Sequence, residues 1–170
     1  RLLVLNSPSN PTGAHYTRDE LGALAEVLMK HEDVMILSDD IYYRIIFKGT
    51  EWVNIGMVEE GLLPRTFIAN GVSKTYCMTG WRIGYLIGDA AVVKAATKIQ
   101  SQSTSNPTSI AQYAAVAALK GDQAIVTEMA TVFEKRCDYV LSRLADMPGV
   151  TCPTPAGAFY VFPNVSAYYG

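Results

Sequence analysis

Apolar residues recur along the chain in two rhythms. Short apolar runs at 2–5, 34–37, 66–69 and 83–87 are each followed by glycine, proline or small polar residues, and predict four strands. Between the first two, Leu21, Leu24, Ala25 and Leu28 recur at helical spacing behind Thr17 and Glu20, a capping box that predicts a helix to about His31. After Gly88, Asp89 is placed to cap a helix carrying Val92, Val93, Ala96 and Ile99, and Pro107 opens an alanine-rich helix. A long helix is predicted over 123–145, with Ile125, Met129, Phe133, Val140 and Leu144 on its buried side and Pro148-Gly149 as its stop. The last stretch, VTCPTPAGAFYVF, predicts two short strands around a Pro-Gly turn.

Strands alternating with helices predict an α/β fold with a mostly parallel sheet, and the closing helix-plus-strands unit reads as the start of a second, smaller domain. Asn10, Asp39 and Lys74 each follow an apolar strand closely. Open α/β sheets bind ligands outside the carboxyl ends of their strands, so these three residues mark a candidate site. The chain opens on a buried-strand pattern and closes on NVSAYYG, which reads as a piece of a longer polypeptide. Alone, such a piece is expected to expose sheet edge and apolar surface.

Composition narrows the chemistry. Apolar residues make up 49% and charged ones 18% of the 170 residues, the balance of a globular protein. A formal net charge of −2 offers no footprint for nucleic acid or an acidic membrane surface. No run approaches the roughly 20 apolar residues of a membrane span. Cys77, Cys137 and Cys152 are irregularly spaced, which suits a reducing compartment, expected to be the cytoplasm. With only His15 and His31, and no C-x-x-C or H-x-x-x-H pair, no metal site is expected. No G-x-x-x-x-G-K-[ST] string occurs, and GWRIGYLIG does not fit G-x-G-x-x-G, so neither nucleotide loop is present.

The stretch GVSKTYCMTGWRIGY (71–85) carries the distinctive chemistry. A neutral amine at Lys74 can form a Schiff base with a substrate carbonyl or with pyridoxal phosphate, whereas most lysines in turns are simply solvated. Arg82 can grip a phosphate through paired hydrogen bonds, or form a structural ion pair with a carboxylate. Ser73 and the glycine-bearing turn add a hydroxyl and backbone N–H groups suited to phosphate. Asp39 can keep a pyridine nitrogen protonated, which makes the ring an electron sink, while Asp40 reads as a solvated neighbour or helix cap. Tyr42 and Asn10 can donate to a ring phenolate oxygen; singly, they read as a core residue and a turn residue before Pro11. Together these residues make a complete set for the pyridine side of pyridoxal phosphate.

In order and spacing, NPTG (10–13), SDDIYY (38–43), SKTYCMTGWRIGY (73–85) and PAGAFYVFP (155–163) resemble the fold-type-I pyridoxal-phosphate aminotransferases, and within them the bacterial aspartate aminotransferase group. The resemblance covers essentially the whole chain. It implies the type I transferase fold, with 1–120 as the C-terminal part of the large cofactor-binding domain and 121–170 as the connecting helix and beginning of the small domain. It implies Lys74 as the Schiff-base lysine and proton carrier, Asp39 at the pyridine nitrogen, and Tyr42 and Asn10 at the ring oxygen. Arg82 and Ser73 would bind the phosphate, and Phe159 would lie near substrate. Many relatives have a serine where Gly71 stands. The arginine that grips a distal substrate carboxylate in animal and enterobacterial enzymes is Ser101 here, and the subgroup resembled uses a basic residue located earlier than this chain begins.

The implied activity is amino transfer between an L-amino acid, expected to be aspartate, and a 2-oxo acid, expected to be 2-oxoglutarate, by a homodimer. A lyase or synthase of the same fold, or a regulatory domain that keeps the fold as a ligand sensor, would use the same cofactor residues. The preferred donor and acceptor lie outside what these residues specify.

Overall fold

The computed structural model describes residues 1–169. One sheet runs β1 (Leu2–Asn6), β2 (Met35–Asp39), β3 (Thr66–Gly71), β4 (Gly84–Ile87), in that spatial order. The first three strands are parallel, with Asn6 opposite Asp39 and Asp39 opposite Ala69. Their carboxyl ends, and the loops that leave them, therefore share one edge. β4 is antiparallel to β3, pairing Gly71 with Gly84. The connection between them holds only turns and the single 3-10 turn Thr79–Trp81. A parallel return needs a crossover of about a dozen or more residues, usually helical, and this loop has no helix to supply it.

Helix α1 (Arg18–Leu28) begins at the expected capping box: the Thr17 hydroxyl accepts from the Glu20 N–H at 3.3 Å, and Glu20 accepts from the Thr17 N–H at 2.8 Å. It stops at Leu28, earlier than its periodicity suggests. The Arg65 guanidinium takes the carbonyls of Leu28 (2.6 Å), His31 (3.0 Å) and Val34 (2.6 Å), which turns the chain into β2 instead of continuing the helix. Leu21, Ala25 and Leu28 pack with Leu5, Ile36, Val53, Ile55 and Leu62, the latter two flanking the short helix α2 (Ile55–Val58) and its following 3-10 turn. This core fixes the strands whose ends carry the site.

Helix α3 (Ala90–Ser103) is capped by Asp89 as expected, but buries none of its residues. Helix α4 (Ser109–Lys120) packs Ala111 and Ala115 beneath Val72 and Ile83, so the β3–β4 loop is seated on it. Helix α5 (Ala124–Ala145) buries Val126, Ala130 and Cys137, not the stripe expected from the sequence: Ile125 is 67% exposed and Val140 is exposed as well. Adjacent helix positions lie roughly 100° apart, so two neighbouring apolar stripes compete. The cluster of Tyr42, Ile45, Phe47 and Ala158 selects the one containing Cys137.

The two strands expected over 150–162 do not form. Single antiparallel bridges pair Ile46 with Gly157 and Thr151 with Asn164. Pro153, Pro155 and Pro163 supply no N–H and interrupt any longer ladder. Apolar surface is exposed at the β1 edge, through Leu2 and Val4, and on α4, through Ile110 and Tyr113. Among the described residues no helix is long and apolar enough to cross a membrane, and no cluster of His, Cys, Asp and Glu could hold a metal.

Candidate active site

The site begins where β1 and β2 end. Asn6, last in β1, donates its Nδ2–H to the Asp39 carbonyl at 3.0 Å and accepts the Asn10 N–H on Oδ1 at 2.7 Å. One amide thus ties the NPTG turn to the end of β2. The turn closes on itself through Gly13 N–H to Ser9 carbonyl, 2.7 Å, and docks on the later PAGAF segment through Ala156 N–H to Gly13 carbonyl, 2.9 Å. Gly13 has φ +68°, and a Cβ there would stand 2.5 Å from Pro155 Cβ; one on Gly157 would stand 2.5 Å from the Ile45 carbonyl oxygen. Both glycines are required by backbone contact.

Asp39 is partly buried, and one of its carboxylate oxygens accepts the Ile41 N–H at 3.3 Å; the other has no hydrogen-bond partner among the described residues. Asp40 corrects the sequence reading, since it is neither solvated nor a helix cap. It is buried, accepting from Ser38 Oγ at 2.7 Å and Asn54 Nδ2 at 2.8 Å. Burial outweighs those bonds and pushes its carboxyl above the ordinary value. The alternation of the strand explains the pair: Asp40 turns into the protein beside Ser38, and Asp39 faces the edge.

Tyr42 is buried and its hydroxyl lies 2.6 Å from that of Tyr160. Its phenol is pushed well above its ordinary value, first by burial, then by Tyr160 and by the charge on Asp39, with Asn10's amide opposing. Phe159 meets Tyr42 edge-on at 5.4 Å between centroids, and the Lys74 ammonium sits 5.8 Å from the centroid of the same Phe159 ring. Asn10, Asp39, Tyr42, Lys74 and Phe159 are thereby brought into one cluster.

Lys74 follows β3 in a turn anchored by Val72 and Thr75, both fully buried. The Thr75 hydroxyl has no hydrogen-bond partner. Two residues before Val72 and Ser73 the ladder is tight: a Cβ on Gly71 would stand 2.7 Å from the Ile83 carbonyl oxygen, so a serine there would press on β4. Thr79 ties the remainder of the loop together. Its hydroxyl donates to the Ser73 carbonyl at 3.1 Å, and its carbonyl accepts from Arg82 Nη1 at 2.9 Å. Arg82 adopts a left-handed backbone, φ 56°. It is exposed, as is neighbouring Trp81, so the apolar setting inferred from its sequence neighbours does not exist. No carboxylate among the described residues pairs with it. A free guanidinium tied by Thr79 to the Ser73 loop suits an anion. No hydrogen bond joins the Ser73 or Arg82 side chain to the other five site residues.

Three residues with a part in this geometry escape a sequence reading. Asn6 is signalled only as a polar end to an apolar run, and Thr79 only by its place between Lys74 and Arg82. Tyr160 has no local signal, because its partner is 118 residues away.

Residues 1–168 match the family model for aminotransferase class I and II. The chain is 54% identical over 167 residues to the aspartate/prephenate aminotransferase of Cereibacter sphaeroides, covering 98% of this chain and 42% of that protein. It is 49% identical over 164 residues to the aspartate aminotransferase of Bacillus subtilis, again 42% of that protein and 96% of this one. The crystal structure of the aspartate aminotransferase from Rhizobium meliloti superposes with a TM-score of 0.93 at 46% identity, over 96% of this chain and 41% of that one. The chain thus spans 42% of the length of the curated relatives it matches. Its parallel-dominated sheet is part of the fold those aminotransferases share. The chain belongs to the class I and II aminotransferase family.

Proposed function

We propose that the protein to which this chain contributes is a pyridoxal-phosphate aminotransferase, exchanging an amino group between L-aspartate and 2-oxoglutarate. The observation that carries this reading is the stacking of Lys74, Phe159 and Tyr42 at the strand edge where Asp39 ends β2. The donor set fits the cofactor: one amine, one carboxylate with a free oxygen, two groups able to meet a ring oxygen, and a guanidinium that no acid neutralises.

When bound, pyridoxal phosphate supplies an electron sink for the substrate's Cα through its protonated ring. Asp39 holds the positive charge at the ring nitrogen. Tyr42 and Asn10 meet the ring oxygen, both converging from the same edge. Lys74 Nζ is the attachment point and, once released, carries a proton to and from Cα. Phe159 covers that amine and limits water around it. Arg82 and Ser73 hold the phosphate. The two half-reactions then alternate on one site, giving ping-pong kinetics.

We also propose the division into a large-domain part, 1–120, and the beginning of a small domain, 121–170; the turn at Gly121 between α4 and α5 supports that boundary. The exposed apolar faces of β1 and α4 support burial by the rest of the protein and by a second subunit. The unpaired Cys77, Cys137 and Cys152 support a cytoplasmic setting.

The test is direct. The full-length protein, supplied with L-aspartate and 2-oxoglutarate, is expected to release oxaloacetate and glutamate along parallel double-reciprocal lines. A protein that binds the cofactor yet transfers an amino group from no amino acid would instead be a lyase or a sensor of this fold.

A further inference from the structure

We propose that Tyr160 is a positioning residue, which donates its hydroxyl proton to the Tyr42 oxygen and so leaves the Tyr42 proton free for the bound ring. The inference rests on the cofactor reading above and adds a residue to it.

The two hydroxyl oxygens are 2.6 Å apart, a short O–H···O bond, with the rings crossed at 82° and 5.6 Å. A phenol has one proton and can accept others. Either oxygen could donate as far as distance goes, and the neighbours decide. The Tyr160 hydroxyl has no other hydrogen-bond partner among the described residues, so its proton has one place to go. Tyr42 is differently placed, with Asn10 and Asp39 at its hydroxyl and Tyr160 behind it. A hydroxyl that accepts one hydrogen bond becomes a better donor of the next. The charged and titratable groups near this pair are Asp39 from the end of β2 and Lys74 across Phe159. Both phenols stay protonated through the neutral range, because burial and mutual proximity hold the Tyr42 phenol high.

The pair also bridges distant parts of the chain. Tyr160 packs on Phe159 at 4.8 Å, and Phe159 lies over Lys74. A tyrosine at 160 therefore sets both the direction of the Tyr42 proton and the ring that covers the amine. Only the first of these depends on its hydroxyl.

That separation gives the experiment. A hydrogen bond to the ring oxygen draws electron density from the adjacent nitrogen and lowers its hold on a proton. In the full-length holoenzyme without substrate, the visible band of the bound cofactor is titrated against pH for wild type, Tyr160→Phe, Tyr42→Phe and the double variant. Tyr160→Phe is expected to raise the midpoint by about 0.4–1 pH unit, the equivalent of one neutral hydrogen bond. Tyr42→Phe is expected to raise it further, and the double variant to match Tyr42→Phe alone. A fluorinated tyrosine at 160, a stronger donor of the same shape, should lower the midpoint. A midpoint moved by Tyr42→Phe but not by Tyr160→Phe, or strictly additive shifts, overturns this proposal alone. A midpoint that Tyr42→Phe does not move overturns it together with the place given to Tyr42 in the function reading.

Discussion

Asn6 and Asp39 face each other across the β1–β2 ladder, and the Asn6 side chain donates to the Asp39 carbonyl at 3.0 Å while holding the Asn10 N–H at 2.7 Å. Two residues assigned to the cofactor ring are thus positioned by a third that touches neither ring nor substrate. Asn6→Ala would leave two backbone groups without their partner, at a cost of about 1–3 kcal/mol if water does not replace it. The expected outcome is weaker cofactor binding by equilibrium dialysis of the full-length protein, with Asn6→Asp no substitute, since it cannot donate to the Asp39 carbonyl.

Asp40 gives a pH dependence of defined sign. Burial raises its carboxyl above the ordinary value, so the folded protein keeps the proton to a higher pH than the unfolded chain does. Its contribution to stability is complete below the ordinary carboxylate range of about 4 and declines as pH rises through the raised value. Asp40→Asn cannot titrate and is accommodated by rotation of the Ser38 hydroxyl. The unfolding free energy of wild type minus that of Asp40→Asn, from urea titrations between pH 4 and 7, is expected to fall with pH. A difference that rises would reverse this assignment.

The contact between the NPTG turn and the PAGAF segment is set by glycine. Gly157→Ala would place a Cβ against the Ile45 carbonyl and the Pro8 ring, 2.5 and 2.8 Å away, neither of which can move aside. A loss of about 1–3 kcal/mol is expected. Gly80→Ala is the matched control, because nothing lies within 4 Å of the added atom. Equal destabilisation of the two variants would show that the packing argument is wrong.

Arg82 is exposed and bonded only to the Thr79 carbonyl, so its removal should cost little fold stability. Arg82→Lys keeps the charge and loses the fork that grips phosphate through two bonds. The cofactor is expected to dissociate about 10-fold more readily, or worse, and inorganic phosphate to compete less well. Unchanged affinity in both measurements would remove Arg82 from the phosphate site.

Much of this was legible in the sequence because it is local. The capping box at Thr17 and Glu20 and the Asp89 cap depend on residues a few positions apart, and both formed as read. The strands ending near Asn10, Asp39 and Lys74 were visible as apolar runs, and their parallel order delivers all three residues to one edge. What stayed hidden depends on partners far along the chain. The buried face of α5 is chosen by Phe47, Ala158 and Tyr42. Asp40 is buried because Asn54 reaches it, and Arg82 lies in the open although its neighbours in sequence are apolar. The prolines after residue 150 were visible, yet their effect was read as a turn between strands when they prevent the strands altogether.

The central claim is that Lys74 carries the cofactor. Full-length protein incubated with pyridoxal phosphate, reduced with borohydride and digested, should yield one cofactor-labelled peptide by mass spectrometry. The expected label lies on Lys74. A label on another lysine, or a protein that Lys74→Ala still labels to the same extent, would contradict the account.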